Sequence, residues 1–228
     1  MRSAIAGLCL AGAGAACAES GPRDSGLAAE VTLVSDYRFR GVSYTGGKPA
    51  LQGGLDFTAG SGWLAGVWAS ATLGRVRGAG EVDIYAGRAG TLAGLDYAIA
   101  GYAYLERSLR KLQYVELQAT LARKLGAVSI QTEASLAPRQ SGGPANLYLG
   151  LTGRAPIRGD GPAVVLHGGY EDGLVRRKID WGAGVECGAE GFIMSASVVG
   201  STVSRRSGDP HNTMRGGAAL VARVSRSF

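Results

Sequence analysis

From residue 29 to its last residue the chain is a succession of short segments in which apolar and polar side chains alternate, a period of two that selects β-strands. After the first eighteen residues no apolar run is long enough for a membrane-crossing helix, so any spanning element must be a strand. Twelve segments carry the pattern: 29–42, 50–60, 63–74, 81–88, 93–105, 113–124, 127–137, 145–155, 163–171, 178–187, 191–203 and 216–228. Most have the roughly ten residues a tilted strand needs to cross hydrocarbon. In the first, Val31, Leu33, Tyr37 and Phe39 share one face, and Glu30, Thr32, Asp36, Arg38 and Arg40 the other. In the sixth, Val115, Leu117, Ala119 and Leu121 oppose Glu116, Gln118, Thr120 and Ala122. An even count suits an up-and-down barrel with both chain ends on one side. The expectation is an all-β fold, a transmembrane antiparallel up-and-down β-barrel of about 12 strands.

Alternation alone does not separate a soluble barrel, apolar inside, from a membrane barrel, apolar outside. The two ends of the chain break the tie. Arg2, an apolar stretch over 4–16 and the small-x-small triplet Ala16-Cys17-Ala18 read as a signal peptide over 1–18. Residues 19–28 would then be a periplasmic N-terminal segment and 29–228 the outer-membrane barrel. Cleavage after Ala18 removes Cys9 and Cys17 and leaves Cys187, so no intrachain disulfide could form. A lipidated Cys17 is the competing reading, disfavoured by Gly14 where such sites take Leu. The final strand, Leu220 to Phe228, ends on the aromatic residue expected of a strand that closes a membrane barrel and addresses the barrel assembly machinery. The 38 glycines are spread through aromatic and β-branched segments without a repeat, which favours strands over a low-complexity coil.

The connections point the same way. Gly60-Ser61-Gly62, Lys124-Leu125-Gly126 and Gly188-Ala189-Glu190 are short, whereas others, such as 204–215, are longer and richer in charge. Short periplasmic turns and long outer loops are the usual asymmetry. The outer loops would collect basic residues such as Lys48, Arg75, Arg77, Arg107, Arg139 and Arg177, in a chain of net charge +6. Nucleic acid is not the partner implied, because a secreted barrel does not meet it and no binding motif occurs. Outer-membrane lipid and lipopolysaccharide phosphates, or anionic solutes drawn to the mouth, fit better.

Several runs resemble a known family. Val31-Thr32-Leu33-Val34-Ser35-Asp36-Tyr37-Arg38-Phe39-Arg40-Gly41-Val42-Ser43, followed by Lys48-Pro49-Ala50-Leu51-Gln52-Gly53-Gly54-Leu55-Asp56-Phe57, is similar to the opening of the TorF family, whose members are described as porins. Weaker echoes are Trp63 to Ser70, Glu81 to Gly87, Gly169 to Gly173, and Val224 to Phe228. The resemblance implies an outer-membrane β-barrel of porin type in the bacterial cell outer membrane, without naming a solute.

With register set by the apolar face, Asp36, Arg38, Arg40, Asp56, Glu81, Asp83, Glu116, Asp180 and Glu186 are expected to line the pore, joined by Glu133, Lys124, Arg154 and Arg223. Opposite charges across a wet lumen screen polar solutes by charge. The same residues could instead form a network that plugs a narrow barrel, and twelve strands enclose a lumen for which either outcome is possible. The expected function is passive diffusion of small hydrophilic solutes. The alternatives are a closed structural or adhesive barrel and a lipid-modifying enzyme. Enzymes of that kind on barrels pair a Ser with a His, and His167 and His211 are the only histidines, neither with a sequence-near serine of assignable role. His167 reads as a structural histidine facing the lumen. No cofactor is expected, and no metal, because two His and a Cys lack ligand spacing.

Overall fold

The computed structural model describes residues 25–73, 80–106, 114–140, 143–159, 161–173, 177–202 and 217–228. The expected signal peptide, His211 and the basic loop residues Arg75, Arg77 and Arg107 lie outside them. Among the described residues every regular element is a strand. In chain order they are β1 (Gly26–Val34), β2 (Arg38–Phe39), β3 (Val42–Ser43), β4 (Ala50–Thr58), β5 (Trp63–Thr72), β6 (Gly80–Leu92) and β7 (Leu95–Glu106). Then follow β8 (Tyr114–Leu125), β9 (Val128–Ala137), β10 (Asn146–Pro156), β11 (Ala163–Asp172), β12 (Lys178–Ala189), β13 (Phe192–Ser201) and β14 (Ala219–Ser227). Twelve of these close an antiparallel barrel in which each strand pairs with its sequence neighbour, and β2 and β3 pair only with each other.

Closure is made by the last strand on the first. Leu33 stands opposite Val224, and beyond the ladder Phe228 and Ala29 exchange both backbone hydrogen bonds, at 2.9 and 3.2 Å. At one end most of the strands meet in tight turns. Two of these, Ala93-Gly94 (φ 51° and 75°) and Glu190-Gly191 (φ 52° and 82°), have the left-handed pair that a two-residue hairpin twisting with its strands requires. The other end carries the longer connections. We call them the turn end and the loop end.

The two faces are the reverse of those of a soluble barrel. Leu117, Leu166 and Ile179 on the outer face are 54%, 57% and 53% exposed, whereas Asp83, Glu116 and Asp180 on the inner face are 0%, 2% and 1% exposed. The interior combines these polar groups with an apolar cluster that includes Val34, Tyr85, Tyr102, Tyr104 and Val221.

Strand positions follow the alternating segments to within a few residues, with one departure. The segment expected as a single strand over 29–42 stops at Val34, and residues 35–49 turn into the barrel instead of continuing its wall. Tyr37 and Phe39, expected on the outer face with Val31 and Leu33, are buried inside at 4% and 8% exposure. Alternation continues through this stretch because a hairpin has the same period as a wall strand. Arg40 and Gly41, at φ 47° and 76°, form the two-residue turn that ends the run and reverses the chain.

Candidate functional site

The inward hairpin, residues 36–47, is a finger that crosses the lumen near the loop end. Its base is gathered by Asp36. Ser43 Oγ and Thr45 Oγ1 donate to Oδ1 at 2.5 and 2.9 Å, the Gly47 amide donates to the same oxygen at 3.2 Å, and Arg38 Nε donates to Oδ2 at 2.6 Å. The backbone closes around it, with Tyr44 N bonded to Tyr37 O at 2.8 Å and Tyr37 N to Thr45 Oγ1 at 3.1 Å. Rings seat the finger on the wall: Tyr37 lies 5.5 Å from Trp68 and Phe39 6.1 Å from Tyr104, centroid to centroid.

At its tip, Arg40 reaches the strands opposite β1. The guanidinium meets Glu116 of β8 as a fork, Nη2 to Oε1 at 2.7 Å and Nη1 to Oε2 at 3.1 Å, the bidentate geometry that makes such pairs strong. Glu133 of β9 stands 3.5 Å from Nη2 and Glu171 of β11 3.4 Å from Nη1. The ring of Tyr148 on β10 lies beneath, 4.0 Å from Cζ. The carboxylates are themselves held: Glu116 by Tyr104 Oη at 3.3 Å, Glu133 by Ser135 Oγ at 2.9 Å, and Glu171 by Asn146 Nδ2 at 2.8 Å. Lys178 Nζ binds Glu171 Oε2 at 2.5 Å and the Arg40 carbonyl at 2.8 Å. Gly41 has to be glycine, since it combines positive φ with a position where a Cβ would run into the Gly200 carbonyl and lie 2.8 Å from the Cβ atoms of Asp180 and Ser201.

Beside this cage, His167 is held at both ring nitrogens, by Thr152 Oγ1 at 2.9 Å on Nδ1 and by Asp180 Oδ1 at 2.9 Å on Nε2. The Tyr148 hydroxyl approaches Nε2 as well, at 3.0 Å. Glu81 and Asp83 lie on the inner face of β6, within electrostatic reach of the Tyr37 phenol. Toward the turn end the wall charges pair locally: Glu186 with Arg154, Glu30 with Arg223 at 2.9 Å, and Asp56 with the Tyr85 hydroxyl. Lys124, expected inside, stands exposed two residues from the tight turn at Gly126. Among the described residues no trio of His, Cys, Asp or Glu is arranged to hold a metal.

Asp56, Glu81, Asp83, Glu116, Asp180 and Glu186 thus project inward from wall strands, while Asp36, Arg38 and Arg40 belong to the finger. Among the described residues near the loop end, Glu116, Glu133 and Glu171 of the wall gather around Arg40 with Lys178 beside Glu171, and the finger carries one net positive charge through Asp36, Arg38 and Arg40. Tyr148, Asn146, Glu171 and Lys178 are site residues that the pore-lining expectation missed. Strand parity marks them, because Glu171 shares a face with Val165 and His167, and Lys178 shares one with Asp180.

A family model described as "Bacterial protein of unknown function (Gcw_chp)" matches residues 17–228, and the chain belongs to that family. No curated protein matches the sequence. Among solved structures, the KdgM porin superposes with a TM-score of 0.58 at 6% identity, over 88% of this chain and 98% of that one. The NanC porin gives 0.56 at 8% identity, over 89% and 99%. The COG4313 outer membrane channel from Pseudomonas putida F1 gives 0.51 at 11% identity, over 95% and 100%. At such identities the likeness is one of fold.

Proposed function

We propose that this Gcw_chp family member is a porin-like channel of the bacterial outer membrane, offering small hydrophilic solutes a polar route through a lumen narrowed by the finger. The observation that carries the reading is the inversion of faces. A continuous ring of exposed Leu, Ile and Val is costly in water and matched to hydrocarbon. Phe57, Trp63, Phe192 and Phe228 on the outer face at the turn end, with Tyr170 and Trp181 toward the loop end, suit the two lipid interfaces. Arg226, 4.8 Å from the Phe192 ring centroid and 5.3 Å from that of Phe228, is placed to reach headgroup phosphates. The TorF resemblance and the porin-like shape agree with this assignment. In it the turn end faces the periplasm, the Phe228 strand addresses the assembly machinery, and exposed Lys48, Arg139 and Arg177 meet lipopolysaccharide.

Solutes would pass Asp56 and Glu186 in the turn-end half and the narrows formed by Asp36, Arg38, Arg40, Glu81, Asp83, Glu116 and Asp180. Planar bilayers test this with the whole protein and with a variant in which residues 37–44 are replaced by Asn-Gly. The wild type should conduct weakly and the shortened variant several-fold more. A second reading, a closed structural barrel, is favoured by the near-zero exposure of Asp83, Tyr148 and Glu116. It would be adopted if neither protein carries current over a wide voltage range.

A further inference from the structure

We infer that the wall cage around Arg40 is a receptor for guanidinium-bearing solutes, and that the finger tip occupies it as a built-in stand-in for them. The inference rests on the channel reading for the route by which such a solute arrives.

Everything that recognises the guanidinium plane belongs to the wall, apart from Phe39 at its flank, 4.6 Å from Cζ. Four adjacent strands supply the recognition: the fork from Glu116, the flanking carboxylates Glu133 and Glu171, and the Tyr148 face. Partners on the wall hold each carboxylate in place, so the cage does not depend on the finger for its shape. The charge balance points to a cation: among the described residues three wall carboxylates, Glu116, Glu133 and Glu171, converge on the site, and Lys178 answers Glu171. The geometry points to a guanidinium over an ammonium. A planar fork fills both oxygens of Glu116 while lying flat on Tyr148, which a point-like ammonium cannot do.

The finger has the features of an exchangeable occupant. It is closed on itself through Asp36 and the Tyr44–Tyr37 backbone bond, so it can leave as a unit. The left-handed position taken by Arg40 at its tip is one that Asn or Gly fills with less strain than arginine. What arginine contributes at that point is its side chain, 1% exposed within the cage.

The test is titration calorimetry of the detergent-solubilised, full-length protein with argininamide and with lysinamide. Arg40→Ala vacates the cage and should bind argininamide at least tenfold more tightly than the wild type does, and at least tenfold more tightly than it binds lysinamide. Adding Glu116→Gln to Arg40→Ala should reverse that gain. Arg40→Lys keeps a charge among the carboxylates while giving up the fork. If Arg40→Ala does not refold, the same order of affinities is required of Arg40→Lys. Equal affinity in wild type and variant, or equal affinity for the two amides, overturns the receptor. Bilayer currents separate the two failures. Current without argininamide selectivity removes the receptor and leaves the channel, whereas selective binding without current keeps the receptor and removes the channel.

Discussion

Replacing Glu116 by Gln keeps the shape of the carboxylate and removes its charge, which isolates the strongest tie between finger and wall. Arg40 gives Glu116 two charge-assisted bonds, at 2.7 and 3.1 Å, between side chains that are 1% and 0% exposed. Each such bond contributes about 1.5–3 kcal/mol, and an amide retains one acceptor, so about one bond's worth is lost. Removing one partner of a fully buried pair costs about 3–5 kcal/mol, but here Glu133 and Glu171, at 3.5 and 3.4 Å, still neutralise the guanidinium. Relief of repulsion among three crowded carboxylates offsets a further part. The net expectation is about 2–3 kcal/mol in finger docking, a rise of about 30- to 150-fold in the undocked population. The assay is a double-mutant cycle of Arg40→Ala and Glu116→Gln, read by urea unfolding of the micelle-bound barrel, with single-channel open fraction alongside. A coupling energy below about 0.5 kcal/mol would refute the clamp, because the two side chains would then be neighbours without mutual dependence.

Three further outcomes are expected. Leu117→Arg, on the exposed outer face, should destabilise the inserted barrel by up to about 2–4 kcal/mol depending on its depth in the bilayer, while Gln118→Arg on the inner face should be tolerated, both measured by folding into vesicles. Deleting Phe228 removes the residue that exchanges two backbone bonds with Ala29 and should send most of the protein to periplasmic degradation, scored by membrane fractionation. Asp36→Asn keeps the shape of the group that gathers Ser43, Thr45, Gly47 and Arg38 but loses its charge, and should loosen the finger, visible as at least tenfold faster hydrogen exchange at the Gly47 amide.

The barrel wall was legible in the sequence because a strand with one apolar and one polar face advertises both its extent and its orientation in a single pattern. Leu117 against Gln118 in β8 needed no tertiary information. The finger was hidden by that same pattern: Tyr37, Phe39 and Val42 alternate as an outward face would, yet they pack inward once Arg40 and Gly41 reverse the chain. The available signal was the Arg-Gly turn and the cluster Ser43, Thr45, Gly46 and Gly47 after it, which suits capture by Asp36 better than a strand. The cage was legible only in part. Glu116 stood out as a carboxylate amid an alternating strand, but its meeting with Glu133, Glu171 and Tyr148 depends on how the barrel closes, and no local spacing encodes that.

The ladder that closes the ring pairs only five residues of β1 with β14, against nine on the other side of β1, so the joint between first and last strands is the shortest in the wall. The finger grows directly out of β1 at that joint and fastens beyond it: Ser35 exchanges bonds with Ala222, Arg38 binds the Gly217 carbonyl at 2.8 Å, and Gly41 is wedged against β13. One segment therefore serves as both stopper and clasp. Parting the wall sideways between its first and last strands would require pulling the finger's root off β14 and its tip off β13, which ties the mechanical integrity of the cylinder to the state of its mouth.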